Sequence, residues 1–170
     1  RDVDLDMLRE SIQVMLDTNL IDKPYEFFHF VQKLESGRAS EIARVYTRER
    51  RRIKGGKVYR RQFKSVYQHY PHLPLPASAA DKNDAIQFEH WVHQPDREVG
   101  SVIVLHGFAM GWPVIDAMAM SASQWFARGF NVILLTLPDH GPRRAPGTLF
   151  SGQSFTVPHA VHLATAVRRA

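Results

Sequence analysis

Two dipeptides in this chain are placed to do chemistry: His106-Gly107 in the run Val102–Gly111 (VIVLHGFAMG), and His140-Gly141 at the end of Phe130–Gly141 (FNVILLTLPDHG). A histidine holds or moves a proton near neutral pH, and a glycine beside it, having no Cβ, lets the backbone approach a ligand closely. Each pair follows a short run of Val, Ile and Leu, the composition of a strand covered on both faces. Between the runs, Trp112 to Arg128 sets Val114, Met118, Ala122, Trp125 and Phe126 at near-helical spacing, and Gly129 supplies a stop. Strand, helix and strand make a βαβ unit with a parallel sheet. Both His-Gly pairs then fall at carboxyl ends of strands, where open α/β sheets bind their ligands.

On these residues the chain resembles the α/β-hydrolase superfamily over about Lys64 to Ala170. His106–Phe108 (HGF) is similar to the oxyanion-hole turn after that family's third strand, and Pro138–Gly141 (PDHG) to the loop after its fourth. The resemblance implies an α/β fold with a mostly parallel sheet of α/β-hydrolase type, incomplete here, and an enzyme acting on an ester, thioester or amide of a small acyl substrate. In such an enzyme the N–H of Phe108 donates to the oxyanion formed when a nucleophile attacks the acyl carbonyl, and His106 and Gly107 shape the turn. Ala109, Met110 and His140 are the candidate substrate-binding residues. His106 and His140 are expected to fix their loops by hydrogen bonding, because the resembling family places its catalytic histidine late in the chain.

The nucleophile elbow, G-x-S-x-G, is missing. Gly152-Gln153-Ser154 is the one Gly-x-Ser, but Thr156 stands where a small residue is needed, and Ser154 follows His140 too closely for a helix and a strand to intervene. Ser151 and Ser154 read as loop and cap residues. The chain has no cysteine, so no thiol can serve. Residues 157–170 read as the helix leading to the elbow strand, so the nucleophile, acid and base are expected beyond Ala170, and the 170 residues alone are expected to be inactive. An aspartate nucleophile attacking a halide or epoxide remains open. Val102–Leu105 would then have an open edge, covered by the C-terminal half of the same protein or by a neighbouring copy.

The elements that must position these residues begin after a different kind of sequence. Residues 1–56 read as a helical N-terminal extension, preceding a hydrolase-like unit over 57–170. Leu5, Leu8, Ile12, Met15 and Leu16 form one helical stripe, Phe27, Phe28, Val31 and Leu34 a second, and Ser40 opens a third with Ile42, Val45 and Tyr46 inward. Phe63–Tyr67 and Ile86–His93 are strand candidates, fitting two antiparallel strands at the start of the sheet. From Arg44 to Lys64 ten basic residues stand against Glu49, a local +9 that leaves −4 for the rest of a +5 chain. The aromatics there, Tyr46, Tyr59 and Phe63, form no stacking platform, which argues against nucleic acid and for a solvated face. The competing functional class is a non-catalytic binding or scaffold protein that uses this basic segment as its interaction surface.

No metal or other cofactor is expected. His90 and His93 alternate across a strand, His159 and His162 have no carboxylate at ligand spacing, and Gly55-Gly56 lacks the spacing of a phosphate loop. No apolar stretch reaches membrane-spanning length and no signal peptide is visible, so the cytoplasm is the expected compartment.

Overall fold

The computed structural model describes residues 5–17, 45–65, 85–94, 98–144, 146–153 and 156. Five strands, β1 Tyr46–Ile53, β2 Gly56–Lys64, β3 Ala85–His93, β4 Ser101–Leu105 and β5 Asn131–Thr136, form one sheet in the order β1-β2-β3-β5-β4. β1 with β2, β2 with β3, and β3 with β5 are antiparallel; β4 with β5 is the parallel pair. The expectation of a mostly parallel α/β-hydrolase sheet is therefore corrected to a mixed, mostly antiparallel one, in which the βαβ unit contributes the parallel pair.

The helical N-terminal extension is corrected as well. Helix α1, Leu5–Asp17, forms on the first stripe, but Leu5, Ile12 and Leu16 are exposed, so those side chains cover no core. Tyr46, expected inward on a third helix, instead starts β1. Arginine favours helix in isolation, but Ile53 and Gly56 pair across a two-residue turn at Lys54-Gly55, with Gly55 at φ +81°. That turn folds Tyr46–Ile53 back onto β2, and cross-strand pairing overrides propensity. The second N-terminal stripe and the helix expected over 157–170 lie outside the described residues.

The core lies on one face of the sheet. Register places Val58, Trp91, Val132 and Val102 in one row across four strands, and Arg60, Glu89, Leu134 and Val104 in the next. Over these rows pack α2, Pro113–Ala119, and α3, Ala122–Ala127. Ala122 and Phe126 join Val58, Trp91, Val132 and Leu134 in the buried cluster, and the Phe126 ring meets Trp91 edge-on at 6.0 Å and stacks on His93 at 3.9 Å. The single helix expected over Trp112 to Arg128 is thus two, broken at Ser121, whose φ is +53°. The break splits the expected stripe: Ala122 and Phe126 turn inward, whereas Val114 and Met118 are 63% and 78% exposed. Gly129 ends α3 as expected. Its N–H bonds Phe126 O, Phe130 N–H bonds Trp125 O, and the Phe130 and Trp125 rings meet across the stop, the pairing of a Schellman cap.

Candidate active site at the ends of β4 and β5

Because β4 and β5 are parallel neighbours, the loops that leave them emerge side by side. Their polar residues are buried together: His106, Asp116, Asp139, His140, Arg143 and Ser151 are each no more than 6% exposed. Buried polar groups persist only where they are hydrogen-bonded. His106 joins the loops. Its Nε2 accepts the Leu137 N–H at 3.0 Å, which leaves Nδ1 protonated to donate to Gly107 O at 3.0 Å. His140 Nδ1 lies 2.7 Å from Pro138 O and donates to it, and the two imidazoles sit 4.7 Å apart between ring centroids. Burial holds His140 below the usual histidine range, so it stays neutral at physiological pH.

A second tie is backbone on backbone. Asp116 Oδ1 accepts the Gly111 N–H at 3.1 Å, and burial raises this carboxyl above the ordinary range. Gly111 in turn lies against His140 and Gly141: a Cβ at Gly141 would overlap Gly111 O, and one at Gly111 would come within 2.7 Å of His140 Cβ. Both glycines have positive φ, +104° at Gly111 and +47° at Gly141. The Gly141 N–H donates to Ser151 Oγ at 2.6 Å, and Arg143 Nη1 reaches Thr136 O at 2.6 Å, tacking the later loop to the end of β5.

The turn after His106 stands out from this frame. Met110 N–H bonds Gly107 O at 3.2 Å, closing a four-residue turn with Phe108 and Ala109 at its centre. Ala109 has φ +62° and Phe108 does not have a positive φ, the pattern of a type II turn, which prefers glycine where Ala109 sits. The Phe108 N–H has no hydrogen-bond acceptor among the described residues, and its exposed ring meets Phe150 edge-on at 6.0 Å.

All six residues singled out from sequence fall at this end of the sheet, with His106 and His140 in ring contact and Gly107, Phe108, Ala109 and Met110 in one turn. Of the two glycines that follow a histidine, Gly141 makes the close approach expected of both and Gly107 does not. Gly107 does not take positive φ, and a Cβ there would meet Met110 Sδ at an ordinary 3.6 Å; Gly111 and Gly141 carry the close approach. Asp116 was missed. It is the acid in the first turn of α2, five residues past Gly111, in a stretch whose sequence signal is apolar spacing alone. Ser151 is buried with its hydroxyl accepting the Gly141 N–H, and Ser154 lies outside the described residues. No three His, Cys, Asp or Glu side chains among the described residues are grouped to hold a metal ion. No model of a known protein family matches the chain, and no curated protein matches it.

Proposed function

We propose that this chain carries the oxyanion side of a hydrolase acting on an ester, thioester or amide, with the Phe108 N–H as one donor. The observation that supports it is the Gly107–Met110 turn: a strained, glycine-preferring turn at the carboxyl end of β4, held from below by His106 and leaving the Phe108 N–H without an acceptor among the described residues. Strain of this kind collects where backbone is shaped for a ligand. A fixed N–H stabilises a developing oxyanion because it needs no reorganisation when the charge appears. His106, with both ring nitrogens engaged in holding loops, positions the turn and transfers no proton. The attacking group is assigned to no described residue, since Ser151 is turned inward.

The test is Phe108→Pro in the full-length protein, assayed on chromogenic short-chain esters and thioesters. Proline is favoured at the second position of a type II turn, so the fold survives while the N–H is lost. Turnover is expected to fall about 100- to 1000-fold with KM little changed. Undiminished turnover would remove Phe108 from the role, and no turnover of any acyl substrate by the natural protein would leave the non-catalytic scaffold in its place.

A further inference from the structure

The structure assigns a second binding site, for an amphiphilic phosphate monoester, to the cleft between the β1–β2 hairpin and the start of α2. The cleft holds about 430 Å³, within the range of small-molecule sites, and is lined on one side by Arg50, Arg51, Arg60 and Glu89 and on the other by Trp112, Pro113, Val114 and Ile115. A β-bulge builds the basic wall. Pairing runs Glu49 with Tyr59 and then Arg51 with Val58, so Arg50 is the extra residue. Successive strand residues ordinarily point to opposite faces, but the bulge re-aims one of them, and Arg50 and Arg51 line the same cleft.

Charge selects the head group. Arg51 is already matched: its guanidinium lies 3.6 Å from the buried Glu89 carboxylate and 5.2 Å from the Trp91 ring centroid, and Trp91 Nε1 donates to the same Glu89 oxygen at 2.9 Å. No ion pair joins Arg50 or Arg60 to an acid among the described residues; Arg60 lies between Glu89 and Arg48 in the ladder, and since Arg51 already engages Glu89, the three guanidiniums and one carboxylate of the cleft leave two positive charges unmatched. Two unmatched guanidiniums fit a head group carrying close to two negative charges, and their planar forks suit phosphate oxygens. The facing wall selects the rest of the ligand. Val114 and Ile115 are 63% and 53% exposed, and Trp112, with the Arg144 guanidinium 6.0 Å from its ring centroid, is 42% exposed, a largely apolar surface. An inorganic anion would leave that wall wet, and a neutral lipid would leave the arginines unmatched. The site does not depend on the acyl chemistry proposed for the β4 turn.

Calorimetric titration of the full-length protein with octyl phosphate, inorganic phosphate and octanol tests this. Octyl phosphate is expected to bind at least tenfold more tightly than either of the others. Arg50→Gln and Arg60→Gln are each expected to weaken it at least tenfold with little change in the thermal midpoint, since neither side chain is in an ion pair among the described residues. Trp112→Ala is expected to bring octyl phosphate towards inorganic phosphate, and Arg52→Gln and Lys54→Gln, outside the cleft, to leave binding unchanged. Octyl phosphate binding that is absent, or unmoved by Arg50→Gln and Arg60→Gln, overturns the site. So does an equal loss from Arg52→Gln and Lys54→Gln, or tighter retention by RNA or anionic vesicles that all four substitutions weaken alike, because the hairpin would then be a general polyanion surface.

Discussion

Ala109 is held at φ +62°, a conformation that costs a non-glycine residue about 1–2 kcal/mol. Ala109→Gly relieves this, less the greater freedom that glycine has when unfolded, and is expected to stabilise the protein by about 0.5–1 kcal/mol in urea titration. A destabilised Ala109→Gly protein would mean that the turn is not strained. His90 makes a separate prediction about pH. It lies on the sheet face opposite the helices, across from Tyr59 and Ile133 in the ladder and near Phe88, and neither ring nitrogen is hydrogen-bonded among the described residues. Burial, reinforced by the Arg61 charge, pushes it from the ordinary 6.5 down to about 4. The unfolded chain therefore takes up a proton near pH 6.5 that the folded chain refuses until about pH 4, so this contribution to stability is complete above 6.5 and is lost as pH falls between those values. His140, also depressed by burial, acts in the same direction, whereas Asp116, raised by burial, acts in the opposite one as pH climbs from the ordinary 3.8. Thermal midpoints measured from pH 7 to pH 4 should fall less steeply for His90→Phe than for the natural protein. Parallel curves would show that His90 is not the titrating group.

At the scale of elements, the loops after β4 and β5 behave as one piece because two glycines let them touch. Gly141→Ala puts a methyl into Gly111 O at a position that also needs positive φ, and the combined strain and overlap are expected to cost about 2–5 kcal/mol in chemical denaturation. A loss under about 1 kcal/mol would mean that the loops separate easily. These loops were legible in sequence for a physical reason: the apolar runs ending at Leu105 and Thr136 carry their own strand signal, and a histidine followed by glycine marks a break in it. Ile86–His93 was legible on the same grounds and forms most of β3. The β1–β2 hairpin was not. Four arginines in Tyr46–Ile53 erase the apolar alternation by which a strand is recognised, and only the Gly55-Gly56 pair hinted at a turn. Once that hairpin joins the sheet antiparallel, the fold class changes. The helix break at Ser121 was hidden because nothing in the residue type demands φ +53° there.

The whole sheet has two rims of contrasting chemistry. β1 presents Arg48, Arg50 and Arg52 together with a bulge, features that discourage another strand from adding to an edge. β4 has no charged residue, pairs only with β5 among the described residues, and leaves Ile103 and Leu105 63% and 57% exposed. In polymer terms the molecule is monofunctional: one rim can couple and the other is blocked. Coupling of β4 to β4 about a two-fold axis would use both reactive rims at once and leave a ten-stranded sheet with arginines at each end, which has nowhere to grow. Any self-association through the β4 rim, open among the described residues, is therefore expected to stop at a pair. Ile103→Lys adds a charge to the open rim at an exposed position and is expected to abolish any such pairing in sedimentation analysis at little cost in stability. Species larger than a pair that disappear with Ile103→Lys would show that β1 is not the end-stop its arginines make it.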